Sequence, residues 1–238
     1  MYILSLDSTA VAASVALCDD ERLLALTTIE NGNTHSETLL PLIEQTLDRF
    51  GLRPHDMGLL ACSAGPGSFT GVRIGVSTIK GLGFGTDIPC IGVSTLEALA
   101  YNLIGFDGLI CPVMNARRNQ VYNALFECRD GMMTRLCDDR AIALAELDEE
   151  LSKQGERPVY LVGDGYELSC RQLTKSESLL RQTPVVLRTQ NAYSVAQIAL
   201  RSFCDGVRTT HAELVPVYLR PCQAERERME RLAAEQNS

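Results

Sequence analysis

Apolar periodicity sets out the same succession, strand, strand, strand, helix, strand, helix, in each half of the 238-residue chain. Residues 2–6, 12–18 and 23–29 are rich in Ile, Val, Leu and Thr, and the turn Asp19-Asp20-Glu21 folds the second run back on the third as an antiparallel meander. A helix is predicted over Ser36–Phe50, a strand over Gly58–Ala64, a helix over Gly71–Gly85, a strand over Pro89–Val93 and a helix over Thr95–Ile104. From Gly108 the order begins again, with strands over Leu109–Met114, Gln120–Cys128 and Met132–Leu136 and a hairpin turn at Asp130-Gly131. A helix over Leu144–Lys153, a strand over Val159–Gly163, a helix over Tyr166–Leu173, a strand over Pro184–Leu187 and a helix over Tyr193–Cys204 follow.

No residue-level repeat accompanies this duplication, so the likeness lies in the order of elements. A doubled β-β-β-α-β-α unit predicts an α/β protein of two domains facing each other across a cleft, as in actin-like and ribonuclease H-like folds. The expected division is 1–107, 108–222 and a charged tail, 223–238, read as a frayed, solvated helix.

Composition narrows the class. With 45% hydrophobic and 22% charged residues the chain is an ordinary globular sequence, and no apolar stretch approaches the roughly 18 residues that a membrane span needs. Met1–Asp7 carries no basic region ahead of a long apolar core, so a cytoplasmic protein is expected. Nine scattered cysteines without a Cys-x-x-Cys pair read as reduced core residues. A formal charge of −8 argues against unaided nucleic-acid binding, and any RNA is expected to be held mainly by a partner.

Three groups of residues could carry chemistry. Asp7, Ser8 and Thr9 follow the first strand and suit either a phosphate- and metal-holding turn or a polar hairpin; Gly163, Asp164 and Gly165 stand after a strand of the second half with the same two readings. The run Gly65-Pro66-Gly67-Ser68-Phe69-Thr70-Gly71 reads as a tight turn in which Ser68 or Thr70 caps a helix, with an anion cradle as the alternative. In the helix that follows, Gly71, Gly75, Thr78, Gly81 and Gly85 share one face with Ile74 and Leu82 at about 100° per residue. Each interior glycine costs up to about 1 kcal/mol relative to alanine, so a packing reason is required. In the preceding helix Leu40, Ile43, Leu47 and Phe50 form one stripe, and Leu39, Leu42 and Thr46 widen it. Either the two helices pack only within the chain, or one stripe covers the sheet and the other receives a partner. His35, His55 and His211 have no metal-ligand spacing, and neither a Gly-x-Ser-x-Gly elbow nor a Cys beside a His occurs.

Together these motifs resemble one family. Leu4 to Thr9, His35-Ser36-Glu37 with Leu39-Leu40-Pro41, Gly65 to Gly75, Gly92 to Ala100, Ala116-Arg117-Arg118 with Val121-Tyr122, and Tyr218-Leu219-Arg220 are similar to the TsaB family, also called YeaZ, in order and over nearly the whole chain. The resemblance implies an actin-like fold and a part in making threonylcarbamoyladenosine beside the anticodon of tRNAs that read codons beginning with A. It implies a non-catalytic scaffold that pairs with TsaD, the related threonylcarbamoyl transferase, with the ATPase TsaE joining the assembly, tRNA held through the complex, and a homodimer as the alternative state of the isolated chain. The family contact is a bundle of the first two helices of each subunit, which assigns His35, Thr38, Leu39, Leu42, Thr46, Gly71, Ile74, Gly75, Thr78, Gly81 and Leu82 to the partner face. Gly75→Arg and Gly81→Arg are then expected to abolish pairing and to spare the fold. The catalytic relative carries a His-x-x-x-His metal pair where this chain has Thr95 and Leu99, so no metal site and no catalytic residue are expected. The family often has Asp in place of Asn115. No cofactor is required on this reading; Asp7 to Thr9 with Gly163 to Gly165 would at most bind ATP or ADP weakly, as a degenerate nucleotide site. A kinase-like enzyme of the same superfamily and a peptidase acting on its partner are the competing expectations.

Overall fold

The computed structural model describes residues 1–220; the tail expected to form a helix lies outside them. The first sheet comprises β1 (Tyr2–Asp7), β2 (Ala13–Asp19), β3 (Arg22–Ile29), β4 (Leu59–Gly65) and β5 (Cys90–Ser94) in the order β3-β2-β1-β4-β5. The first three strands pair antiparallel as the expected meander, and β4 and β5 join parallel to β1. Parallel neighbours need crossovers, supplied by α1 (His35–Arg49) before β4 and α2 (Phe69–Gly83) between β4 and β5. β1 is buried from Ile3 to Asp7, and its alternate residues serve opposite faces. Leu4 and Leu6 pack with Leu39, Ile43, Val72 and Val76 of α1 and α2, while Ile3 packs on the other side with Val195 and Ala199.

That other side is covered from far along the sequence. α6 (Ala192–Cys204) lies across β1, β2, β4 and β5 beside the short α3 (Thr95–Tyr101). Two buried hydroxyls pin its start: Ser5 donates to the Ala192 carbonyl at 2.7 Å, and the Ala192 N–H donates to Ser14 Oγ at 3.0 Å. The expected division at 107/108 assigned this helix to the second half, yet its core contacts lie with the first sheet, because the small apolar face of Ala192, Val195, Ala196 and Ala199 matches Ile3, Ala16, Ala61 and Ile91.

The second sheet is built on β6 (Gly108–Asn115), flanked by β7 (Gln120–Asn123) and β11 (Val159–Val162), with β10 (Arg140–Ala143) and β12 (Leu180–Arg181) at the edges. β8 (Phe126–Arg129) pairs with the start of β6, β7 with its end, and β9 (Met132–Arg135) with β8. The single strand expected over 120–128 is thus broken at Ala124-Leu125. Asp130 and Gly131, both at positive φ, make the expected hairpin turn. The strand expected over Pro184–Leu187 is instead a 3-10 turn with Val185 and Val186 in solvent, and β10 was not foreseen. α4 (Leu144–Ser152) and α5 (Tyr166–Gln172) cover one face of this sheet, and α3 covers the other through Leu96 and Leu99, with Leu103 just beyond its end.

α3 therefore sits between the sheets, and a polar clasp secures its N-terminus. Ser94 caps it and also donates to Asp139, whose other oxygen receives Arg135 Nη1 at 2.6 Å; Arg135 Nη2 reaches Glu97 at 3.0 Å. The eight cysteines among the described residues are all unbridged, five of them buried. Burial pushes the Cys18 and Cys111 thiols up to about 12, so they are inert core groups at neutral pH. No helix among the described residues is long and apolar enough to cross a membrane.

Candidate functional site: a cleft and a helix groove

Two concavities border α2, one at its N-terminus and one along its length. One is a cleft of about 500 Å³ between the sheets, lined by the β1–β2 turn, Pro66–Thr70, the Met114–Arg117 turn, Asp164 and a C-terminal strap, Val217–Arg220. The other is an apolar groove of about 450 Å³ on the outer surface between α1 and α2.

Of the residues that sequence reasoning assigned to nucleotide, Thr9 and Asp164 line the cleft, and the Asp7 and Ser8 side chains bond within the protein. Asp7 is fully buried; Oδ1 accepts the Thr9 N–H at 2.8 Å and the Thr9 hydroxyl at 2.7 Å, and Oδ2 accepts the Ser63 hydroxyl. Ser8 donates to the Gly71 carbonyl at 2.9 Å. Desolvation pushes the Asp7 carboxyl above its ordinary value, against the pull of those three hydrogen bonds. These bonds are those of a polar hairpin turn, and Asp7 does not line the cleft, although Thr9 does. On the opposing loop the Gly163 N–H donates to the Arg188 carbonyl at 2.9 Å and the Gly165 N–H to the Val113 carbonyl at 3.0 Å. A Cβ on Gly163 would stand 2.4 Å from the Val113 oxygen, so this glycine, at φ +115°, allows the loop to pack closely on β6. Asp164 alone of that trio reaches the cleft, its Oδ1 accepting the Asn115 N–H at 3.2 Å. Asn115 Oδ1 in turn accepts the Arg117 N–H at 2.8 Å.

The Gly65 loop performs the turn and cap expected of it. Ser68 Oγ accepts the Gly71 N–H at 3.3 Å, and α2 begins at Phe69, two residues before its expected start. Gly65, at φ +120°, has its Cβ direction blocked by the Val217 carbonyl at 2.3 Å. There the strap passes: the Val217 N–H donates to the Ala64 carbonyl at 2.7 Å, and Arg220 reaches across to the Ala116 carbonyl at 3.0 Å. Tyr218 stacks on Phe69 with ring centroids 4.8 Å apart and accepts Arg73 Nε at 2.9 Å, while the Arg73 guanidinium lies 3.9 Å from the Phe69 ring centre. Tyr218 and Arg220 entered the sequence reading only through the family resemblance; no local pattern connects Tyr218 to a helix 145 positions away.

The partner face divides in two. His35, Leu39, Ile74, Thr78, Gly81 and Leu82 line the groove together with Ser36, Leu40, Arg73 and Ser77. Thr38, Leu42, Thr46, Gly71 and Gly75 are buried and do not line it. A Cβ on Gly71 would stand 2.0 Å from the Ser8 carbonyl oxygen, and one on Gly75 would stand 2.7 Å from Ser8 Oγ. These two glycines admit the β1–β2 turn against α2, which is the packing reason their helix required, and Gly75→Arg is therefore expected to disturb the fold as well as any pairing. Gly81 has nothing within 4 Å. The stripes of α1 are likewise reassigned: Leu39, Leu42, Ile43 and Leu47 cover the sheet, whereas Leu40 and Phe50 are 51% and 44% exposed.

Thr95 and Leu99 are buried in α3, Leu99 packing with Leu96, Leu103 and Met114. Among the described residues the Thr95 hydroxyl has no hydrogen-bond partner, and Leu99, one turn on, offers no lone pair to a cation.

The model of TsaD, described as tRNA N6-adenosine threonylcarbamoyltransferase, matches residues 30–226. A TsaB protein of Bacillus subtilis is 32% identical over 94% of this chain and 96% of its own, and that of Escherichia coli is 33% identical over 92% and 95%. The chain belongs to the TsaB family. Both relatives are named as tRNA threonylcarbamoyladenosine biosynthesis proteins, and membership places this chain in the same modification of tRNA. YeaZ from Pseudomonas aeruginosa superimposes with a TM-score of 0.73 at 25% identity, covering 92% of this chain and 99% of that one. A TM-score of 0.50 at 12% identity with component A of (R)-2-hydroxyglutaryl-CoA dehydratase from Acidaminococcus fermentans, over 86% of this chain and 99% of that one, extends the fold to actin-like ATPases.

Proposed function

We propose that the chain is a non-catalytic subunit that activates a TsaD-type transferase by docking through the α1–α2 groove, with TsaE joining the pair during tRNA modification. The observation that carries this reading is the groove itself: Leu40, Ile74, Gly81 and Leu82 present an apolar surface in the wall of two helices whose inner faces are already filled by the sheet. Because the chain itself matches the TsaD model, a TsaD partner brings the same two helices, and equivalent faces pair about a pseudo-two-fold axis. The apolar environment of Thr95 and Leu99 and the spent oxygens of Asp7 support a role without chemistry, nucleotide or metal of its own. The cytoplasm is the proposed compartment, where charged tRNA-modifying enzymes work.

Co-expression with TsaD from the same cell tests the reading. Wild type is expected to co-purify and to permit threonylcarbamoylation; Gly81→Arg and Leu40→Asp are expected to lose both while melting as wild type does. Retention of the pair by both variants would reject the groove. Modification by the isolated chain, supplied with the threonylcarbamoyl adenylate and tRNA, would reject the non-catalytic role.

A further inference from the structure

The cleft rim gathers arginines on a chain whose formal charge is −8. The β6–β7 turn holds Arg117, Arg118 and Asn119 at φ of 62°, 53° and 55°, three left-handed residues in succession without a glycine. Such residues cost about 1–2 kcal/mol each, and the surrounding structure holds them: Ala116 N–H donates to the Gln120 carbonyl, Gln120 N–H to the Arg117 carbonyl, and Leu144 N–H to the Asn119 carbonyl. The result is two adjacent arginines held out in solvent, and among the described residues neither guanidinium pairs with a carboxylate. Arg220 is bonded to the Ala116 carbonyl beside them, and exposed Arg171 precedes Gln172, whose amide reaches Asn119 Oδ1 at 3.4 Å. Against these four arginines stand exposed Asp164 inside the cleft, Glu146 in the first turn of α4, and Glu167 one turn before Arg171 on α5, the last already paired with Arg188 at 3.2 Å.

The sign and placement of these charges choose between ligands. A small polyanion lodged in the cleft would meet Asp164 as well as Arg117 and Arg220, whereas a phosphate backbone laid along the rim would also reach Arg118 and Arg171, which do not line the cleft. Guanidinium groups match phosphate in fork geometry, and stable positioning lowers the entropy lost on contact. We propose that the Arg117–Arg118 turn, with Arg220 and Arg171 beside it, is an RNA-backbone contact through which this subunit helps hold tRNA in the assembled complex. The identity of the RNA rests on the function proposed above; the charge pattern does not. The rim is a local contact in an acidic molecule, so it supplements a partner's grip on the tRNA.

Filter binding of an unmodified tRNA transcript to the full chain paired with TsaD, titrated with potassium chloride from about 50 to 200 mM, provides the test. For the double variant Arg117→Gln/Arg118→Gln we expect roughly ten-fold weaker binding at the lower salt, and a slope of log affinity against log salt smaller by about 1 per arginine removed. The charge-retaining pair Arg117→Lys/Arg118→Lys should keep most of the slope. An unchanged affinity and slope in the Gln variant overturns the proposal, as does loss of TsaD co-purification by that variant, which would make the turn a protein-docking element. The same titration on the full chain alone at the lowest salt keeps the two readings separable: a rim effect there with no pairing in the wild type would sink the docking groove and leave the RNA contact standing.

Discussion

At the scale of single residues, the meaning of a glycine in α2 depends on what its missing Cβ would have met. Gly71 and Gly81 lie on one helical face, yet the first abuts a backbone carbonyl and the second abuts nothing. Gly71→Ala is expected to destabilise the protein by about 1–3 kcal/mol, since the Ser8 backbone has to move. Gly81→Ala is expected to stabilise it by up to about 1 kcal/mol, through helix propensity alone. Paired urea denaturation curves decide both, and equal effects would refute the assignment of faces. Sequence periodicity could group these residues but could not rank them, because the distinguishing neighbour, Ser8, is 63 positions from Gly71. Asp7 presents a similar case, in which the residue type suggested a metal ligand and the hydrogen bonds show a structural hub. Its raised folded pKa means that the protonated carboxyl favours the fold, and that contribution is lost as pH rises from the ordinary carboxylate range through the raised value. Stability measured relative to Asp7→Asn should therefore fall as pH rises from the acidic range to neutrality. A flat difference across that interval would mean that the hydrogen bonds from Thr9 and Ser63 fully offset the desolvation.

At the scale of elements, long periodic segments were legible and short or bent ones were not. Helices α1, α2 and α6 and the strands of the first sheet fall within two residues of their expected bounds, because each carries a full amphipathic stripe or a continuous buried run. The failures have physical causes. β10 is four half-buried residues opening with an arginine, too short to display alternation. Val185 and Val186 read as a strand by residue type, but no neighbouring strand covers them and they stay in solvent. The strap from Val217 to Arg220 has no periodic signature, since its order comes from Ala64, Phe69, Arg73 and Ala116. Tyr218→Ala removes the stack and the Arg73 acceptor together. It is expected to cost about 1 kcal/mol and to speed hydrogen exchange at the Val217 amide, with the amides of β1 unaffected. Exchange at Val217 as slow as in wild type would show that the backbone bond to Ala64 holds the strap unaided. Arg73 also lines the groove, so occupancy of that groove and order in the strap share one guanidinium.

At the scale of the whole molecule, the duplicated order of elements did predict two sheets with helices on their faces, and the family resemblance supplied the rest of the functional reading. What neither conveyed was the exchange of territory between halves. The face of the first sheet that α1 and α2 leave open is roofed by α3 and by α6, and α6 is the last helix among the described residues. Residues 1–107 made alone are therefore expected to expose Ile3, Ala16, Ala61 and Ile91 and to remain loosely packed, with poor dispersion in an amide NMR spectrum. Adding a peptide spanning residues 188–208 should sharpen that spectrum, and a well-dispersed spectrum without it would show that the helix is dispensable.

The same arrangement bears on how the polypeptide is made. A ribosome has released the whole of the first sheet about a hundred residues before it delivers α6, an interval of roughly 5–20 s at ordinary elongation rates. Throughout that wait the nascent chain displays an aliphatic wall that the finished protein buries, so slowed elongation between residues 107 and 192 is expected to raise aggregation of the nascent chain.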